Sequence, residues 1–130
     1  TVAWGVTGDR DDAIDSIAVA SIFRLASGSA VNTVVIENDD TVNTNDDVAT
    51  GFTLTDSVWA KFKIDFSDLN DVKYYAGLAT GQLARVGNST AMKMSSYAAG
   101  LQPFFQLQKT SDANTDALQI DYVRVWGVRL

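Results

Sequence analysis

The chain has 130 residues, which suits one domain with its own hydrophobic core, and its net charge of −6 disfavours phosphate backbones and anionic lipid surfaces as partners. It contains no run near the ~20 consecutive apolar residues of a membrane span, so we expect neither nucleic acid nor a membrane as a partner. It has no cysteine and no histidine, which excludes disulfides, thiol nucleophiles, Ser–His–Asp triads and the usual zinc sites.

The first half of the chain predicts β-strands rather than helices. In "SIAVASIFRL", alternation places two sets of side chains on opposite faces of a strand. One face carries Ile17, Val19, Phe23 and Leu25. The other face carries Ala18, Ala20, Ile22 and Arg24. The following run "VNTVVIE" is rich in β-branched residues, which favour strands. Aspartate is abundant and Glu37 is the only glutamate, a bias that favours turns over helix interiors.

The middle of the chain predicts an antiparallel hairpin. In "WAKFKIDF", Ala60, Phe62, Ile64 and Phe66 share one face, and Trp59 lies on the opposite face. The run "SDLND" then predicts a turn, and "VKYYA" predicts the returning strand. The later stretch "STAMKMSSYAAG" fits a weak helix, a loop or a strand through its two methionines equally well.

The end of the chain predicts two more strands. "QPFFQLQK" is the first, with Phe105 and Leu107 in phase, and its proline indicates an edge or a strand start. The second is "ALQIDYVRVWGVRL", in which the alternation slips at Asp121–Tyr122. A β-bulge near Asp121 would place four side chains in one core, and this interpretation is favoured. These side chains are Leu118, Ile120, Val123 and Val125. Alternatively, both faces are buried, with Tyr122 and Trp126 packed under a neighbouring loop.

This succession of about eight or nine short strands separated by turns predicts an all-β fold. We expect an antiparallel two-sheet sandwich, formed as a single domain over residues 1–130.

Three clusters of Asp and Asn are candidate calcium sites. The first holds Asp9, Asp11, Asp12 and Asp15. The second holds Asp39, Asp40, Asn43, Asn45, Asp46 and Asp47. The third holds Asp112, Asn114 and Asp116, and its D-x-N-x-D spacing is typical of a calcium loop until Ala117 and Val123 replace the later Gly and acid. We favour structural turns over Ca²⁺, because Asp and Asn bond their own backbone in turns. We therefore expect no cofactor and no required calcium.

Two other candidate sites have simpler explanations. Asp65 and Asp121 are the in-strand carboxylates that a glycosidase pair would need, but an outward polar residue and a bulge residue explain them better. The aromatic residues could form a sugar-stacking platform, although such residues more often belong to cores or cross-strand pairs. They are Trp4, Trp59, Trp126, Tyr74, Tyr75 and Tyr122.

Two stretches resemble a known family. "VWAKFKIDFSDLNDVKYYAG" is similar to a hairpin of concanavalin A-like jelly rolls, and "LQIDYVRVWG" resembles the closing strand of laminarinase-type glycoside hydrolases and related modules. The resemblance implies a jelly-roll fold. It does not extend to catalysis, because those hydrolases carry E-x-D-x-x-E and this chain has a single glutamate.

Most of the chain is similar to small virion proteins encoded among the head genes of tailed bacteriophages. The stretches that carry this resemblance are "DSIAVASIFRL", "NDDVATGFTL", "FKIDFSDLNDVKYYAG", "LQPFFQLQK" and "IDYVRVW". It implies a non-enzymatic protein that decorates and stabilises the outer capsid surface of the virion, with the major capsid protein as its partner. The alternative is a lectin-like carbohydrate-binding module, including one displayed on the virion.

Such a protein would reinforce a shell best as an oligomer, because linked contacts raise effective concentration. We expect a homo-oligomer, a trimer on or near three-fold axes. The candidate interface residues lie at the two chain ends: Trp4, Trp126 and Arg129, whose residue types suit an interface core. The alternative is that Trp4 and Trp126 close the core of the monomer.

Overall fold

The computed structural model describes residues 2–25, 32–108 and 117–126, and it shows an all-β structure. The strands are β1 (Val2–Thr7), β2 (Val19–Leu25), β3 (Thr33–Asp40), β4 (Thr44–Thr53), β5 (Ala60–Asp65), β6 (Lys73–Leu78), β7 (Ala84–Val86) and β8 (Gln102–Leu107). One 3₁₀ turn spans Ile14–Ser16, and the described residues contain no α-helix. No helix in these ranges is long and apolar enough to cross a membrane.

The strands form two antiparallel sheets, one of five strands in the order β4-β3-β2-β1-β8 and one of three strands in the order β5-β6-β7. Side chains from both sheets meet in one buried cluster, which includes Phe23 and Ile36 from the first and Tyr74 from the second. This packing is consistent with a β-sandwich. We call the side of the five-stranded sheet that faces the other sheet its inner face, and the opposite side its outer face.

The outer face is also apolar, and it has its own cover. Ile14 and Ile17, from the 3₁₀ turn and the residue after it, are buried there with Ala20, Ile22 and Phe104. The alternation predicted that Ile17 lies on the same face as Val19, and this prediction is wrong. β2 begins only at Val19, and the loop before it places Ile17 on the outer face. Both faces of β2 are thus buried, which explains its nearly continuous apolar sequence.

The close approach of β1 and β2 depends on Gly5. Its φ of 152° lies in the region that favours glycine, and a Cβ there would lie 2.5 Å from the carbonyl oxygen of Ser21. A larger residue at this position would prevent β1 and β2 of the five-stranded sheet from lying this close together.

The predicted hairpin is confirmed as β5 paired with β6 in a regular antiparallel register. Phe62 and Ile64 pack against the inner cluster, while Trp59 is 52% exposed on the opposite side, as the alternation predicted. The methionine-containing stretch is irregular. Met92 and Met94 are buried, and an isolated β-bridge joins Val72 to Met92. β8 is an edge strand of its sheet, and Pro103 lies near its start. The prediction that this proline marks an edge or a strand start is therefore confirmed.

The predicted final strand is not present. Residues 117–126 form no strand, and Ile120, Val123 and Val125 are exposed rather than buried in a core. The alternative, with Tyr122 and Trp126 packed under a loop, is also wrong, because these side chains are 71% and 67% exposed. An alternating pattern shows which side chains would share a face, but a strand also needs a neighbouring strand for its hydrogen bonds.

Candidate functional site

The most polar buried site lies on the outer face of the five-stranded sheet, around Arg24 and Glu37. The register pairs Ile22 with Glu37 and Arg24 with Val35, so the two charged side chains point to the same face as diagonal neighbours. Both residues are buried, with 8% and 6% of their surface exposed. Charged residues are rarely buried this deeply unless they are paired.

A β-bulge in β4 completes the site. Between the pairs Ile36–Val48 and Asn38–Asn45, β3 contributes only Glu37, whereas β4 contributes both Asp46 and Asp47. Asp47 accommodates this extra residue with a φ of 51°. The bulge therefore brings two additional carboxylates next to the only glutamate of the chain.

Arg24 holds the site together through three ion pairs. Its Nη1 lies 2.9 Å from Asp15 Oδ1, its Nη2 lies 2.7 Å from Asp47 Oδ1, and its Nε lies 3.0 Å from Glu37 Oε2. The last pair is close but misaligned, so that neither Nε nor Oε2 has a hydrogen-bond partner in the described structure. The charges of Glu37 and Arg24 thus face each other without an aligned N–H···O contact.

These surroundings change the acidity of Glu37. Burial raises its pKa from the ordinary 4.5 to about 7, the Arg24 charge opposes this rise, and the charges of Asp15, Asp46 and Asp47 add to it. Glu37 therefore exchanges its proton near neutral pH, which an exposed glutamate does not do.

The site encloses a cavity of about 250 Å³, lined by Asp15, Arg24, Glu37, Asp46 and Asp47. Three of the four lining carboxylates already pair with the single guanidinium, so the cavity does not offer a free cation to an anionic ligand. Among the described residues, no group of three or more acidic side chains is placed to hold a metal ion. Its clearest chemical property is the exchange of one proton.

Sequence reasoning did not find this site. Alternation places Arg24 on the correct face with Ala20 and Ile22, but alternation around Glu37 does not predict that this residue is buried beside it. The available signal was a charged residue next to the apolar run of each of two strands, Arg24 in β2 and Glu37 in β3, since burial of both makes a pair necessary.

A second site lies where the loop after β1 meets β8. This polar cleft has a volume of about 350 Å³ and is lined by Arg10, Asp11, Asp12, Gln102, Pro103, Phe104, Phe105 and Gln106. Gln106 Nε2 donates a hydrogen bond of 2.9 Å to the carbonyl oxygen of Asp12, which ties the loop to the strand. Phe105 is 40% exposed beside these polar groups.

The third candidate is the segment 117–126, which we call the C-terminal segment. It exposes five large hydrophobic side chains: Ile120, Tyr122, Val123, Val125 and Trp126. The guanidinium carbon of Arg124 lies 5.1 Å from the centre of the Trp126 ring, a cation–π contact on the surface. Exposed apolar groups in such a continuous run mark interaction sites more often than isolated ones do.

The three predicted interface residues lie in different surroundings. Trp4 lies on the inner face, with its ring 4.8 Å from Phe62 and 6.0 Å from Phe23 between ring centres, which favours the alternative that it closes the core. Trp126 is exposed in the C-terminal segment. Arg129 lies outside the described residues.

Part of the first two clusters forms turns, as predicted, whereas Asp15 and Asp47 pair with Arg24 and Asp46 lines the same cavity. Asp40 accepts hydrogen bonds from the backbone N–H groups of Val42, Asn43 and Ser96, and from the side chain of Asn43. Asp39 accepts one from the backbone N–H of Thr41. The third cluster, Asp112, Asn114 and Asp116, lies outside the described residues.

The remaining candidates do not form a common site. Asp65, at the end of β5, pairs with Lys63 at 2.9 Å, whereas Asp121 lies outside every strand, so the two do not face each other on neighbouring strands. Tyr74 is buried between the sheets, Tyr75 packs its ring under Lys63, and Trp59 is exposed at the start of β5. No aromatic sugar-stacking platform is formed by these residues.

Compared with protein-family models, with curated proteins and with solved structures, the chain matches none of them.

Proposed function

We propose that this protein is a non-enzymatic virion protein that decorates and stabilises the outer capsid of a tailed bacteriophage. Its partner would be the major capsid protein, and it would lie on the outer capsid surface as a trimer. The observation that carries the proposal is the C-terminal segment, which displays apolar and aromatic side chains on an otherwise compact, acidic β-structure. Exposed apolar surface of this kind is typical of a site that binds a partner.

The finer fold of this proposal is a concanavalin A-like jelly roll. Two features support it. The chain crosses between two antiparallel sheets, and β1 lies between β2 and β8, so the first and last described strands are neighbours. Jelly rolls occur both in viral shells and in lectins, and the fold alone does not separate these functions.

The residue types of the C-terminal segment favour capsid binding over carbohydrate binding. Tyr122, Arg124 and Trp126 are of the kinds that dominate the binding energy of protein–protein contacts. Their exposure leaves them available for a partner surface. Arg129 extends the same stretch of sequence and remains part of the proposed contact.

The test begins with the copy number of the protein in purified virions, which we expect to be near that of the major capsid protein. A virion carrying Val125→Asp together with Trp126→Ser should lose most of the bound protein. The matched control is Val42→Asp, because Val42 and Val125 are both 73% exposed. Absence from purified virions would contradict the proposal, and so would full occupancy by the double variant if the control were also fully bound.

The second candidate function is carbohydrate binding, which the polar cleft favours. Arg, Asp and Gln side chains beside the partly exposed ring of Phe105 combine hydrogen-bonding groups with an apolar surface. A panel of glycans titrated by NMR should then shift resonances of Gln102 and Phe105, and Phe105→Ala should abolish the effect. A panel that shifts no cleft resonance would contradict this function.

A further inference from the structure

We propose that the C-terminal segment of one copy adds as a β-strand to the free edge of β5 in a second copy of the chain. The inference concerns contact between copies, and it does not depend on capsid binding. It joins two features that the described part of the chain leaves open: a segment with a strand-like sequence and no strand partner, and a strand edge with no neighbouring strand.

The donor has the properties of a strand that lacks a neighbour. Apolar residues alternate on both sides of Asp121, yet residues 117–126 belong to no strand pair in the described structure. Ten residues in extended form span roughly 33 Å, which exceeds the roughly 20 Å of a six-residue strand such as β5. The segment is therefore long enough to cover a complete strand edge.

Among the edges of the two sheets, β5 is the best acceptor. The β4 edge is bulged and carries Asp46 and Asp47, β7 has only three residues, and β8 contains Pro103. Each of these devices hinders the addition of another strand. β5 pairs without a bulge along all six of its residues with β6, and it has no described partner on its other side.

Charge and apolar surface also favour β5 as the acceptor. The chain carries −6 overall, but the exposed side of β5 carries two lysines and one aspartate. The C-terminal segment carries one charge of each sign, Asp121 and Arg124, so it approaches this edge without the repulsion that two acidic surfaces would meet. Trp59, which directly precedes β5 and is 52% exposed, adds apolar surface at the start of this strand.

The donor and the acceptor are different surfaces, which restricts the assemblies that can form. Two copies can exchange segments reciprocally, or several copies can close a ring in which each donates to the next. A ring of three would agree with the trimer of the proposed function. The main-chain hydrogen bonds of the added strand would supply affinity, and the alternate side chains would supply specificity.

Disulfide trapping tests the inference cleanly because the chain has no cysteine of its own. Val125→Cys and Lys61→Cys are made as separate single variants and mixed under mild oxidation. We expect the mixed disulfide between the two variants to form severalfold faster than the disulfide between Val125→Cys and the control Val42→Cys, which is equally exposed. Trp59→Cys replaces Lys61→Cys if the latter does not fold, as judged by circular dichroism.

Equal rates with the control would overturn the inference. A disulfide formed within one chain, in the double variant Val125→Cys/Lys61→Cys at high dilution, would also overturn it, since the segment would then cover its own sheet. In addition, light scattering should show oligomers of the unmodified protein that dissociate on Val125→Asp with Tyr122→Asp. The proposed function uses the same segment toward the capsid protein, so the acceptor separates the two proposals. Trapping at Lys61→Cys on the isolated protein reports only the contact between copies, and virion occupancy reports only the contact with the capsid.

Discussion

The two faces of the five-stranded sheet bury polar groups from the same strands in opposite ways. On the inner face, Ser21 donates to the hydroxyl of Tyr74, Tyr74 donates to Asn38 Oδ1 at 2.9 Å, and Asn38 Nδ2 donates to the carbonyl oxygen of Lys93 at 2.8 Å. This chain of neutral groups links both sheets and the loop that holds the methionines. Each member donates to the next, so these three side chains have hydrogen-bond partners.

On the outer face, charges replace neutral groups and the geometry is incomplete. Arg24 faces three carboxylates, and its closest approach to Glu37 lacks an aligned hydrogen bond. The neutral groups of the inner face are hydrogen-bonded to one another, whereas the contribution of the charged cluster to stability depends on pH and on the presence of every partner. Breaking a buried pair from one side costs far more than its net contribution to stability.

The largest effect is expected from Arg24→Met. It leaves the Glu37 carboxylate buried without its cation, which we expect to lower the free energy of unfolding by about 3–5 kcal/mol at pH 8. Urea denaturation measures the change. The control is Arg85→Met, because the pair of Arg85 with Asp71 at 2.9 Å is partly exposed and contributes about 0–1 kcal/mol.

The same experiment contains its own rescue. Arg24→Met combined with Glu37→Leu removes both charges, and most of the lost stability should return. Equal destabilisation by the single and the double variants would show that packing, rather than the uncompensated carboxylate, explains the effect.

The second prediction concerns the pH dependence caused by Glu37. Its pKa is about 7 in the folded state and near 4.5 when unfolded, so the folded state binds more protons between these values and stability falls as the pH rises through this window. The total loss is at most about 3 kcal/mol, complete above pH 7. We expect Glu37→Gln to gain stability relative to the unmodified protein between pH 5 and pH 8.

The chain offers a direct measurement of this pKa. Since Glu37 is the only glutamate, selective ¹³C labelling of glutamate gives one side-chain carboxyl resonance to titrate. A midpoint near the ordinary 4.5 would contradict the prediction.

The third prediction tests the neutral network. Tyr74→Phe keeps the ring and removes the hydroxyl that joins Ser21 to Asn38, so two buried polar groups lose a partner. We expect a loss of about 1–3 kcal/mol in the free energy of unfolding. The control is Tyr75→Phe, the next residue on the opposite side of β6, which should change stability by less than about 0.5 kcal/mol. Equal losses of stability in both variants would show that the hydrogen bonds of Tyr74 do not explain the effect.

The smallest effect is expected at the turn between β3 and β4. Burial alone would raise the pKa of Asp40, but hydrogen bonds from Asn43, Ser96 and Val42 outweigh it and lower the pKa to about 2. Asp40→Asn replaces one accepting oxygen by a donor, and we expect a loss of about 1–2 kcal/mol at pH 7. Asp68→Asn is the control, because the single contact from Asn70 N–H at 2.9 Å needs only one oxygen.

This prediction also has a pH signature. The folded pKa of Asp40 is lowered, so its contribution is complete above the ordinary 3.8 and is lost as the pH falls toward 2. The stability difference between the unmodified protein and Asp40→Asn should therefore shrink in acid. A difference that stays constant from pH 6 to pH 2.5 would show that the carboxylate charge has no role in the turn.

The sequence alone determined most of the strands and the turn role of the aspartates. Alternation predicted the β5–β6 hairpin and the exposure of Trp59, because successive side chains of a strand point to opposite faces. Pro103 predicted an edge or a strand start, since proline has no backbone N–H to donate to a neighbouring strand. These properties depend on local backbone geometry, which neighbouring residues in the chain fix by themselves.

The tertiary structure decided which of these patterns found partners. Burial of Glu37 depends on a register with β2, a bulge in β4 and a distant 3₁₀ turn, none of which the run "VVIE" contains. The final pattern "LQIDYVRVW" is as strand-like as those of β2 and β5, yet the described chain leaves it unpaired. A strand is stable only when a second strand accepts its hydrogen bonds, and the position of that second strand is a property of the whole fold.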